Sequence, residues 1–104
     1  MKNNNRRYEN QMVNSIKREK DGTISCSINE DIRKKLNRLV PIDCPFKNYS
    51  MFDLLADWIT MYDWIIYGIR EISLVDFIEI LQKRGYDRVL AYGDVIINIL
   101  KDNN

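Results

Sequence analysis

Arg6 and Arg7, then Lys17, Arg18 and Lys20, then Arg33, Lys34, Lys35 and Arg38 are the side chains whose type and spacing could do chemistry. That chemistry is the capture of a polyanion, because clustered cations gain affinity by displacing the counterions condensed on phosphates. Thr23, Ser25 and Ser27 alternate between these groups, and short hydroxyls in that position can meet base edges. Residues 1–38 hold ten Lys or Arg against five Asp or Glu, a net of +5. The remainder holds six against ten, a net of −4, so the formal charge of +1 hides two halves of opposite sign. A solvated basic tail would share that balance. Four cations on one short helix, with acids only at its start, point instead to a binding surface.

Other chemistries find few residues to use. There is no histidine, Cys26 and Cys44 do not form a CxxC pair, and no Gly-rich loop could cradle a phosphate. The acids are scattered rather than paired for general acid and base roles. The expectation is no catalytic residue, no metal, no cofactor and no enzyme activity. Two unpaired cysteines suit a reducing compartment. No apolar signal core opens the chain, and no apolar run approaches the roughly 20 residues that cross a bilayer, so a cytoplasmic protein without a membrane partner is expected. Frequent Asn, Ile and Lys suit an AT-rich genome, such as a low-GC bacterium, its plasmid or its phage.

The elements that must position the cations can be read in order. At 104 residues one domain is expected, with residues 1–22 as a basic arm and 23–104 as the folded unit. Met1 to Arg7 is too polar to bury enough surface to order itself. Lys20-Asp21-Gly22 has the form of a three-residue hairpin loop with Gly in the left-handed bulge position, setting Ile16 opposite Cys26 and Arg18 opposite Ile24. Strict alternation over 23–28 predicts a strand with Ile24, Cys26 and Ile28 inward and Thr23, Ser25 and Ser27 outward. Asn29 should cap a helix over 30–40, with Ile32, Leu36 and Leu39 on its apolar face and Arg33, Lys34, Lys35 and Arg38 on the other.

After a loop from Pro41 to Tyr49, Ser50 and Asp53 have capping-box spacing and open a largely apolar helix over 50–67. Ser73 and Asp76 repeat that spacing at the head of a helix over 73–84, which Gly85 should terminate. Val89 to Tyr92 and Val95 to Ile99 are β-branched or aromatic runs around Gly93-Asp94, which predicts a hairpin over 88–99. Helix 73–84 is apolar around most of its circumference. Leu74, Phe77, Ile78 and Leu81 are therefore expected in a dimer interface.

The run SLVDFIEILQKRG, YDRV, LAYGDVIINIL resembles the third helix and wing of a winged helix-turn-helix domain, with helices 30–40 and 50–67 completing a three-helix core. The resemblance implies an α+β fold with a small antiparallel sheet, a strand at 23–28 joining the 88–99 hairpin. Its usual recognition helix would here be too apolar and acidic for phosphate. DNA would instead meet the basic N-terminal half, with Arg88 near the wing as a further phosphate contact. In that unorthodox form the chain resembles the small winged-helix accessory factors of conjugative plasmids. It is also similar, over ISCSINEDIRKKLNRL, to ribbon-helix-helix repressors, which implies Thr23, Ser25 and Ser27 as base readers. The reading that follows is a plasmid- or phage-type protein that binds double-stranded DNA as a homodimer, alongside other DNA-processing proteins at an origin of transfer. Repression or partition by a ribbon-helix-helix protein is the alternative. An antitoxin or inhibitor that binds another protein is a third.

Overall fold

Lys20, Asp21 and Gly22 turn the chain as their residue types require. Gly22 N–H donates to the Glu19 carbonyl at 3.0 Å and Glu19 N–H to the Thr23 carbonyl at 2.8 Å, a type I turn closed by Gly22 at φ 91°. The computed structural model describes residues 14–62 and 71–102. Along them run β1 (Ser15–Arg18), β2 (Ile24–Ser27), α1 (Glu30–Asn37), α2 (Met51–Met61), β3 (Glu71–Ser73), α3 (Leu74–Lys83) and α4 (Asp87–Asp102). Among the described residues the fold is thus α+β, four helices with one antiparallel sheet of strand order β2-β1-β3.

The first hairpin has the anticipated register, Ile16 opposite Cys26 and Arg18 opposite Ile24. β1 is nevertheless more than the end of an arm. It is the central strand, paired on its other side with β3 through Ile16 opposite Ile72, so a domain boundary at residue 22 would cut the sheet in two. All three expected helix caps form. Asn29 accepts from Asp31 N–H, Ser73 accepts from Asp76 N–H, and Ser50 and Asp53 bond reciprocally. Gly85 takes φ 79° just beyond α3, which satisfies the end of that helix without Cβ strain.

Helix 30–40 stops at Asn37, and Leu39 and Val40 stand exposed in the following loop. Helix 50–67 stops at Met61, where Tyr62 leaves helical geometry; the rest of that span lies outside the described residues. The strand at 71–73 was not anticipated, since three residues are too few to show a period.

The largest correction concerns 88–99. This segment is no hairpin and no wing; it lies within the single helix α4. Val89, Tyr92, Ile96, Ile97 and Leu100 recur at the helical period and are all buried. Burial of that stripe outweighs the strand preference of the β-branched run. Gly93 marks a close approach of helices rather than a turn, because a Cβ there would lie 3.2 Å from Ile78 Cγ2 and 2.9 Å from Gln82 Nε2. Covered by α4, the side chains of Leu74, Phe77, Ile78 and Leu81 have no exposed surface at all. They belong to the intramolecular core and cannot form a dimer interface. Gly93→Val should therefore destabilise the fold by about 1–3 kcal/mol through overpacking, read from chemical denaturation.

Candidate nucleic-acid interface

The sheet sorts its side chains by alternation. Ile16, Arg18, Ile24, Cys26 and Ile72 share the core side, with Ile16 fully buried, while Ser15, Lys17, Ser25, Ser27 and Glu71 share the other. Lys17, Ser25 and Ser27 are exposed on that outer side and are brought together by pairing. Arg18, on the core side, is only half-exposed, and Lys20 is exposed in the loop. Cys26 is exposed despite its inward direction, because it lies on the outermost strand.

The hydroxyls are not equivalent. Thr23 donates to Asp21 Oδ1 through Oγ1 at 2.7 Å and through its backbone N–H at 3.0 Å, so it serves the turn. Ser25 donates to Glu19 Oε1 at 3.0 Å, and Ser15 donates to Glu71 Oε1 at 3.0 Å. Glu19 and Glu71 thus share this face with Lys17, an acidic contribution the sequence pattern did not reveal.

On α1, Ile32 and Leu36 are fully buried, so Lys34, Lys35 and Arg38 project to solvent on the opposite side. Arg33 is also exposed but is held by Glu30 at 2.6 Å. That contact lowers the Glu30 carboxyl below its usual range and raises the guanidinium. The cations of α1 are therefore graded: Lys34, Lys35 and Arg38 are the ones not engaged in a described ion pair. Arg6 and Arg7 lie outside the described residues.

Arg88 is placed elsewhere. It sits in the first turn of α4, 3.6 Å from Asp43 Oδ1. Tyr92 donates its hydroxyl to the same carboxyl at 2.5 Å and accepts the Asp43 N–H at 3.3 Å. The solvent side of α4 carries Asp87, Asp94 and Asp102 beside Arg88 and Lys101, a net negative surface unsuited to phosphate. Beside Arg88 lies a cleft of about 190 Å³ lined by Trp58, Met61, Tyr62, Tyr86, Asp57 and Asp87 among others. The Tyr62 and Tyr86 rings meet at 4.4 Å. Among the described residues no group of three or more His, Cys, Asp or Glu could hold a metal ion, and no helix is long and apolar enough to cross a membrane. No family model, curated protein or solved structure matches the chain.

The Asp43 cluster ties the loop to α4 and has a defined pH response. The Tyr92 hydroxyl, and then the Arg88 charge, hold the Asp43 carboxyl below the usual carboxylate range. A carboxyl depressed in the fold stabilises it above its unfolded value of about 3.9, and the contribution disappears as pH falls through the folded value. Asp43→Asn should therefore lower the thermal midpoint at neutral pH, and the gap from wild type should close on acidification below about pH 4.

Proposed function

We propose that this chain is a plasmid- or phage-type protein that binds duplex DNA as a homodimer through its basic N-terminal half, serving as an accessory factor where DNA-processing proteins assemble, such as an origin of transfer. The observation that carries the reading is the exposed basic face of α1, Lys34, Lys35 and Arg38 opposite the buried Ile32 and Leu36. Lys17 and Lys20 on the adjoining hairpin, and Arg6 and Arg7 before it, extend the positive region in sequence. In this reading those cations grip phosphates, which position the protein, and Ser27, with Ser25 once released from Glu19, is the candidate reader of base edges. The solvent side of α4 carries Asp87, Asp94 and Asp102, so in this reading the contact falls to the hairpin and α1.

Mobility shift of duplex DNA at two salt concentrations tests the assignment. Neutralising Lys34 and Lys35 should weaken binding to all sequences and lower the salt slope by about one unit per cation, and Lys83 and Arg84 changes should matter less. Binding abolished by the Lys83 and Arg84 changes, yet intact without Lys34, Lys35 and residues 1–7, would show that α3 reads the groove instead.

A second reading, an interaction module of the antitoxin or inhibitor kind, is favoured by the aromatic cleft beside Arg88 and by Ile42 and Phe46, which stand largely exposed in the loop before α2. Absence of any duplex retardation at low salt, with a partner protein protecting this cleft from labelling, would select it.

A further inference from the structure

We infer that the outer edge of β2 is a self-association edge, pairing antiparallel with β2 of a second copy about a two-fold axis at Cys26. The hydrogen-bond phase of the first hairpin places its unused backbone groups. Glu19 and Thr23 form a bonded pair at the turn, so Lys17 with Ser25 and Ser15 with Ser27 are bonded pairs too, alternating along the ladder. The far side of β1 agrees, since Leu74 N–H donates to the Asn14 carbonyl at 3.0 Å. The N–H and C=O of Ile24, Cys26 and Ile28 therefore point away from β1, and among the described residues no strand pairs with that side.

Exposed edges are normally blunted by shortness, charge, proline or a bulge. This one is short, four residues, but it has no charge and no proline; residues 23–28 read Thr-Ile-Ser-Cys-Ser-Ile. From Ile24 to Ile28 the order is also the same read in either direction. An antiparallel pair centred on Cys26 would set Ile24 against Ile28 of the second copy, Ser25 against Ser27, and Cys26 against itself. Apolar groups would meet on the core side and hydroxyls on the outer side, the self-complementarity a two-fold interface requires. Such a pair also covers what the edge leaves incomplete, since Ile24 and Ile28 are only partly buried and Cys26 is exposed. A second copy is thus the occupant that the strand itself specifies. The inference supplies the contact surface of the homodimer proposed above; it is argued from sheet geometry and strand sequence, and it stands whether or not the protein binds DNA.

Two substitutions test it on the full chain. Cys26→Pro removes an N–H that the hairpin does not use, in a strand position proline tolerates, and Cys26→Lys sets like charges across the axis. In sedimentation at about 50 μM, chosen to populate micromolar dimers, wild type should be a dimer, and each variant should weaken association by roughly tenfold or more with circular dichroism unchanged. If Cys26→Pro unfolds, Cys26→Lys decides. In a bonded antiparallel pair the Cα atoms are about 5.5 Å apart, within disulfide reach. Mild oxidation should therefore cross-link Cys44→Ser into a covalent dimer and leave Cys26→Ser uncross-linked. A monomeric wild type would overturn the inference. So would a dimer indifferent to both Cys26 variants, or one lost only when residues 1–13 are deleted, which would make that segment the occupant of the edge.

Discussion

The close packing of α4 on α3 is the constraint on which the rest depends. Gly93 lets the two helices approach until a methyl group would collide, and the contact seals Leu74, Phe77, Ile78 and Leu81 on one side and Val89, Ile96 and Leu100 on the other. Each fully buried side chain of this size contributes about 1.5–3 kcal/mol relative to exposure. The pair thus supplies a large share of the core. It also places the apolar face of α3 in the interior. What α3 and α4 leave to solvent mixes Asp76, Asp87, Asp94 and Asp102 with Lys83, Arg88 and Lys101.

β1 transmits that core to the basic half. Its Ile16 is fully buried while Lys17 on its other side is exposed, and its neighbours β2 and β3 carry the outer hydroxyls and Glu71 respectively. β3 runs directly into α3, so the strand that supports the hairpin and the helix that anchors the core are continuous. α1 follows β2 at once through its Asn29 cap, whose N–H donates to Asn14 Oδ1 at 3.0 Å. The cations of α1 and the outer face of the hairpin are therefore held to one framework through a short, hydrogen-bonded connection.

The electrostatics of the basic half are set by local partners as much as by residue counts. Glu30 engages Arg33, Glu19 engages Ser25 and Asp21 engages Thr23. Exposed pairs of this kind are weak, because water screens them. They still order the candidates: Lys34, Lys35 and Arg38 need no partner broken before they can bind.

Much of this protein was determined by sequence where the signal is local. The Lys20-Asp21-Gly22 turn, the register of its hairpin, the three helix caps and the Gly85 stop are each decided within a few residues, because one side chain or one φ angle settles them. The basic face of α1 is legible for the same reason, being a helical period of polar residues. Only tertiary structure decided the state of 88–99, where strand propensity and a Gly-Asp pair argued for a hairpin. The apolar stripe from Val89 to Leu100 needed a partner to favour a helix, and that partner is the face of α3 that looked like a dimer interface when considered alone. The acids beside Lys17 were hidden likewise. Glu71 lies far away in sequence, and only sheet pairing brings it to the strand whose charge it offsets.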